Sequence, residues 1–255
     1  MIIAQISDTH ISLGAADADC RAADLRRTLA DINALDPAPD AIIHTGDVVH
    51  GGRREDYAAA ASLLATARAP VYVAAGNRDD RENLRQCLSR WVHPESGSGF
   101  LDYAVDDLPV RLIALDTVSA ATNKGDFSAE RARDLTALIE GEPHKPIAVF
   151  MHHPPFTVPV GPDPLNFVTA QAMGALQRAL ERSGRVVAVF CGHVHRSTCG
   201  RIGRIPVMVA PCTATSLRKG DFPSQMQSRP VYHLHRLSAA GELVTEVRIV
   251  AAASG

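Results

Sequence analysis

The sequence predicts an α/β fold, and three observations carry that prediction. Short apolar runs end abruptly in polar tips, segments of helical period separate the early runs, and Pro and Gly punctuate the joints between them. Residues 2–6, Ile-Ile-Ala-Gln-Ile, read as a buried strand that stops at Ser7-Asp8. Residues 41–44 read the same way and stop at Thr45-Gly46-Asp47. Between them residues 21–35 place Ala22, Leu25, Leu29 and Ile32 at helical spacing, and Pro37 and Pro39 end the run, which completes a βαβ unit. A second unit follows, with an Ala-rich helix over 57–67 and a strand over 70–74 that leads to Gly76-Asn77.

Further strands are predicted over 110–115, 146–151, 186–191, 205–209, 231–237 and 244–250, and helices over 128–139 and 169–181. Ser128 is the candidate N-cap of the first of these helices. Early strands alternate with helices and later ones follow more closely, so the first half is expected to be parallel and the second more antiparallel around one shared core. The length of 255 residues suits a single domain over 1–255, with no internal repeat or linker.

Composition narrows the function classes. With 46% hydrophobic and 21% charged residues the chain is globular in type, and a formal net charge of -2 provides no general attraction to long nucleic acid or anionic lipid. No apolar run reaches the roughly 18 residues of a membrane span. The start, MIIAQISDTH, lacks a basic region followed by a long apolar stretch, so a cytoplasmic location is expected. Cys20, Cys87, Cys191, Cys199 and Cys212 are odd in number and show no CxxC spacing, which predicts reduced thiols; Cys191 is read as a core strand residue rather than a ligand.

The polar residues at strand ends carry the chemistry, because ligands of open α/β sheets gather beyond the carboxyl ends of the strands. Asp8, His10, Asp47, Asn77, His152, His193 and His195 make a list able to hold two divalent ions. Asp8-Thr9-His10 and His193-Val194-His195 each place two ligands one residue apart on a single loop, and Gly46 and Gly192 permit sharp turns there. A set of imidazole, carboxylate and amide ligands suits Mn, Fe, Zn or Co better than Ca.

The ordered series Asp8-x-His10, Gly46-Asp47, Gly76-Asn77, His152 and Gly192-His193-x-His195 resembles the calcineurin-like metallophosphoesterase superfamily. Leu115-Asp116-Thr117, Gly125-Asp126-Phe127-Ser128 and Met151-His152-His153-Pro154-Pro155 make it most similar to the bacterial class III cyclic-nucleotide phosphodiesterases and glycerophosphodiesterases, over residues from about 2 to 237. The resemblance implies a four-layer α/β/β/α sandwich with two facing mixed sheets. It implies Asp8, His10, Asp47 and His195 around one metal, and Asp47, Asn77, His152 and His193 around the other, with Asp47 as the bridge. Two cations roughly 3.5 to 4 Å apart would acidify a bridging water, and the resulting hydroxide would attack phosphorus in line without a phosphoenzyme.

One position departs from the pattern. Relatives commonly carry histidine after the asparagine, whereas this chain has Gly76-Asn77-Arg78-Asp79. Arginine can hold a non-bridging phosphoryl oxygen but cannot release a proton, so Arg78 is expected to bind substrate and to favour good leaving groups; the plainer reading is an ion pair with Asp79 or Asp80. Asn77, Arg78 and Asp47 are the catalytic candidates, and Arg78, His50 and His153 the substrate contacts, with His153 ranked behind its ligand neighbour His152. His44 is read as packed or as supporting a ligand, Thr9 and Thr45 as loop anchors, and His233, His235, His93 and His144 as having no catalytic part.

The function expected is hydrolysis of a small soluble phosphodiester, of cyclic-nucleotide or glycerophosphodiester class. A phosphomonoesterase on the same core and a non-catalytic metal-binding scaffold are the alternatives. The Pro-rich stretch 157–166 is expected to shape specificity beside the site, and 215–229 to do the same or to serve a dimer contact, which leaves a homo-oligomer open.

Overall fold

Two mixed sheets and flanking helices form the four-layer α/β/β/α sandwich. A computed structural model describes residues 1–94, 97–159, 164–238 and 240–251, the side chain of Gln225 excepted. The first sheet contains β1 (Ile2–Ile6), β2 (Ala41–His44), β3 (Val71–Val73), β10 (Val231–Leu237) and β11 (Leu243–Ile249), in the order β11-β10-β1-β2-β3. The second contains β4 (Tyr103–Val105), β5 (Arg111–Leu115), β6 (Ile147–Met151), β7 (Val186–Cys191), β8 (Thr198–Ile202) and β9 (Ile205–Val209), in the order β4-β5-β6-β7-β9-β8. Strands β1, β2 and β3 run parallel, as do β5, β6, β7 and β9.

That arrangement corrects the expected division into a parallel first half and an antiparallel second half. Antiparallel pairing occurs at sheet margins instead, with β10 and β11 on one sheet and β4 and β8 on the other. The close succession of late strands reflects hairpins such as β8–β9 and β10–β11, which attach to opposite sheets.

Alternation along the second sheet explains its unbroken apolar runs. Leu112 and Ala114 of β5 and Ala148 and Phe150 of β6 pack toward the first sheet, in one cluster with Ile3, Ile6 and Ile42. Ile113, Leu115, Val149 and Met151 face the other way, against Leu135, Leu138, Leu176 and Leu180 of α4 (Ala129–Glu140) and α5 (Ala170–Arg182). A strand buried on both faces needs apolar residues at every position. The core is therefore two clusters, not the one expected. Helices α1 (Ala18–Asn33) and α2 (Arg54–Leu64) cover the first sheet through Leu25, Leu29, Ile32, Tyr57 and Ala60.

Both late helices start on side-chain caps: Ser128 Oγ accepts from Arg131 N at 3.3 Å and Thr169 Oγ1 from Ala172 N at 3.0 Å. Helix α3 (Arg81–Cys87), capped by Asp80, and strands β4 and β8 have no counterpart in the sequence prediction. No helix among the described residues is long and apolar enough to cross a membrane.

Candidate metal centre

Parallel pairing of β1 with β2 brings the loops after them side by side. Asp8 N donates to Gly46 O and His10 N to Asp47 O, both at 3.0 Å. Asn77 follows β3, His152 follows β6, and His193 and His195 follow β7, so the carboxyl ends of both sheets converge. Gly46 stands where three loops meet: its φ is +94°, and a Cβ there would lie 2.8 Å from both Gly76 N and His152 Nδ1. Only glycine meets both demands.

Among the described residues five non-glycine residues have positive φ: Asp8, His10, Asp47, His193 and His195. All five are on the sequence-derived ligand list. Such conformations cost about 1–3 kcal/mol each and persist where surrounding structure enforces them, so the strain is concentrated on the site.

The ligand atoms fall into two groups. Oxygen or nitrogen atoms of Asp8, His10, Asp47 and His195 all lie within 4.8 Å of one another. Within this group His195 Nε2 is 3.2 Å from Asp8 Oδ1, and His10 Nε2 is 3.6 Å from Asp47 Oδ2. In the second group His152 Nε2 is 3.5 Å from the same Asp47 Oδ2 and 3.0 Å from Asn77 Oδ1, which in turn is 2.9 Å from His193 Nδ1. Asp47 Oδ2 belongs to both.

Each inward-facing atom is aimed by a bond on its far side. His152 Nδ1 donates to Thr45 O at 2.8 Å and His195 Nδ1 to Leu217 O at 2.7 Å, which turns each Nε2 lone pair inward. Asp47 Oδ1 accepts from Arg78 N at 2.7 Å. Asp8 Oδ2 accepts from Ser7 Oγ at 2.5 Å and His193 N at 3.1 Å. Behind them, Gly46 N donates to His44 Nδ1, which leaves the proton of the neutral ring on Nε2 facing Thr9 Oγ1; Thr9 in turn donates to Val48 O. His44 is thus the packed support expected, and burial holds its pKa down at about 4.

Electrostatics follows from crowding charges out of water. Burial acts to raise Asp8, but the His195 charge and hydrogen bonds from His10 and His195 outweigh it and hold the carboxyl well below its usual range. Burial acts to lower His152 and His195, yet Asp47 lifts the first to about 9 and Asp8 the second to about 11. Burial and the charge of His152 push His193 down to about 3.

These donors fit a pair of divalent ions. Asp8 Oδ1 is buried, with His195 Nε2 at 3.2 Å and His10 Nε2 at 3.7 Å. A buried carboxylate oxygen held by imidazole nitrogens, which must give up their protons to bind a metal, is arranged for a cation.

The remaining candidates are placed differently. His50 lines an open cleft of about 320 Å³ over the ligands, and its Nδ1 is 3.4 Å from His10 Nδ1. The exposed Arg78 lines the same cleft, and no ion pair among the described residues joins it to Asp79 or Asp80. Asp79 turns inward, where Val48 N, Val49 N, Gly76 N and Tyr57 Oη donate to it. His153 does not reach the cleft. It is fully buried, with Nδ1 2.8 Å from Thr117 Oγ1, Nε2 3.2 Å from Asn123 O and its ring 4.6 Å from that of His193, so it packs behind a ligand candidate and not on the cleft wall where a substrate contact was expected.

Asn123, which sequence reasoning missed, completes the cleft wall with Leu217 and Lys219, which were not named singly but fall in the 215–229 segment expected to shape specificity. Lys219 N donates to His195 O at 3.0 Å, so this part of the 215–229 segment is tied to a ligand. Of the stretch 157–166, residues 160–163 lie outside the described residues, and the rest contributes nothing to the cleft wall. Cys191 is a core residue as expected, whereas Cys212 lies beside His10 and His195 with Sγ 2.9 Å from Asp8 O; its place just beyond β9 was the available signal. His233 and His235 are buried between the sheets, where Ser197, Gln5 and Thr245 bond them.

The family model for the calcineurin-like phosphoesterases matches residues 1–197. The chain belongs to the calcineurin-like phosphoesterase family. It is 33% identical over 247 residues to the glycerophosphodiester phosphodiesterase GpdQ of Enterobacter lignolyticus, with 92% of this chain and 87% of that protein covered. It is 31% identical to a cAMP/cGMP dual specificity phosphodiesterase of Mycobacterium tuberculosis, with 83% and 67% covered. Among solved structures, purple acid phosphatase PPD1 of yellow lupin shares the fold at a TM-score of 0.66 and 12% identity, over 98% of this chain and 51% of that one.

Proposed function

We propose that this calcineurin-like phosphoesterase is a dinuclear metal-dependent phosphodiesterase acting on small diesters, of the cyclic-nucleotide or glycerophosphodiester class named in its relatives. The observation that carries the reading is the sharing of Asp47 Oδ2 by two donor groups, one of which includes the buried Asp8 Oδ1. Asp8, His10, Asp47 and His195 would hold one ion, and Asp47, Asn77, His152 and His193 the other. Two such ions, of Mn, Fe, Zn or Co type, would supply an acidified water nucleophile and would neutralise phosphoryl charge.

The chain's own residues do the positioning. Asp47 keeps Oδ1 on Arg78 N, which leaves Oδ2 to serve both groups. The Arg78 guanidinium, on the cleft wall, holds a non-bridging oxygen of the substrate, and His50 and Lys219 line the same cleft. Arginine supplies no proton to the leaving oxygen, so diesters with good leaving groups react fastest. The five unpaired thiols support a reducing, cytoplasmic setting.

A metal-loaded sample assayed on matched diesters and monoesters tests the proposal. Diesters are expected to react at least about tenfold faster, and Arg78→Ala to lose roughly 10²-fold in kcat/KM, as removal of a single oxyanion donor does. Faster monoester turnover would assign a phosphomonoesterase to the same core. Inactivity on every ester would leave the scaffold reading, and unchanged kinetics in Arg78→Ala would remove that residue from the site.

A further inference from the structure

We infer that the outer edge of β11 pairs with β11 of a second copy of this chain about a two-fold axis through Val247. The strand is a regular seven-residue ladder partner of β10, from Val231↔Ile249 to Leu237↔Leu243, with no bulge. Among the described residues its other side meets no strand. Natural edge strands are commonly blunted by proline, lysine, a bulge or short length. The opposite edge of the same sheet, β3, is only three residues long, and Val73 N is engaged by Trp91 O. β11 is not blunted in any of these ways, and two of the three exposed large hydrophobics, Val244 and Val247, lie on it.

Backbone parity shows which groups are free. Ser238 N donates to Glu242 O and Val250 N to Pro230 O, in step with the β10–β11 register. Hydrogen-bonded and non-hydrogen-bonded pairs alternate in an antiparallel ladder. Even-numbered residues of β11 therefore bond to β10, and Leu243, Thr245, Val247 and Ile249 present their N–H and C=O groups outward. Arg229 Nη2 touches one of these, Ile249 O, at 3.5 Å.

Charge selects the register. Centring the axis on Val247 pairs Val247 with its own copy and Thr245 with Ile249 of the second copy. It also sets Glu246 opposite Arg248 in both directions. Centring on Glu246 or on Arg248 would oppose like charges, and centring on Thr245 would set Glu246 against Val244. Glu246 and Arg248 are partly exposed on one face and already bond along the strand at 3.0 Å, so both are placed to exchange that contact for one across the axis. The product is a continuous ten-stranded sheet, with the ligand loops untouched.

Sedimentation equilibrium of the full chain and of two charge variants tests this. The unaltered protein is expected to be a dimer at micromolar concentration. Glu246→Arg and Arg248→Glu alone each oppose like charges twice and are expected to weaken dimerisation by about tenfold or more. Mixed in equal amounts they restore both opposite-charge pairs, and a heterodimer is expected to form. Circular dichroism of each variant shows whether it is folded. A monomeric unaltered protein, single variants that stay dimeric, or folded variants that fail to associate on mixing would each overturn the inference.

Discussion

Replacing Gly46 with alanine probes the point where the loops of three strands meet. The residue has φ +94°, and an added Cβ would lie 2.8 Å from Gly76 N and His152 Nδ1 and 2.9 Å from Gly76 Cα. Ordinary contact begins near 3.4 Å, so the Asn77 loop and the His152 ring must each withdraw by about 0.6 Å. The left-handed backbone adds about 1–3 kcal/mol and the overlap another ~1–3 kcal/mol, for a stability loss of about 4 kcal/mol. Ligands displaced by a good part of an ångström are expected to cost roughly 10- to 10²-fold in kcat/KM. Chemical denaturation and steady-state kinetics on a metal-loaded diester assay measure both effects. Gly51→Ala is the control, since a Cβ there meets nothing within 4 Å. A Gly46→Ala protein within twofold of the parent in rate, or as stable as Gly51→Ala, would refute the reasoning.

Two further predictions concern the site's supports and its protons. Asp79 takes four donors from Val48, Val49, Gly76 and Tyr57, although burial and the nearby Asp47 charge raise its pKa to about 7. Asp79→Asn turns an amide donor toward some of them and is expected to cost about 3 kcal/mol in a denaturation midpoint experiment; an unchanged midpoint would show that the knot is not needed. In the metal-free chain His152 at about 9 and His195 at about 11 are both protonated at pH 7. Metal ions compete with those protons, so affinity is expected to rise with pH up to about 9 and less steeply from there to about 11, with close to two protons released per chain at pH 7. Calorimetry in buffers of different ionisation heat counts them, and binding without proton release would contradict the assignment.

Much of this molecule was legible in its sequence because local and global signals agree. The apolar runs at 2–6, 41–44 and 186–191 became strands with those bounds, and all seven strand-end ligand candidates converge. What escaped notice lacked a local signal. Strand β4 has three residues and shows no period, and the seven-residue α3 is set off only by its Asp80 cap. Which sheet receives each late strand depends on long-range pairing, which is why the expected split into parallel and antiparallel halves failed. Asn123 reaches the cleft from a loop whose path follows from packing, and adjacency to His152 left open whether His153 would line the cleft or, as found, lie buried behind it. Positive φ at five ligand candidates is likewise invisible in a string of letters.

Titration of the metal-free protein with Mn(II), followed by calorimetry and electron paramagnetic resonance, tests the central claim most directly. Asp47 Oδ2 stands between the two donor groups, so two ions per chain with the spectrum of a magnetically coupled pair are expected, and Asp47→Asn should abolish the coupling. A single ion per chain, or two that are magnetically independent, would contradict the account.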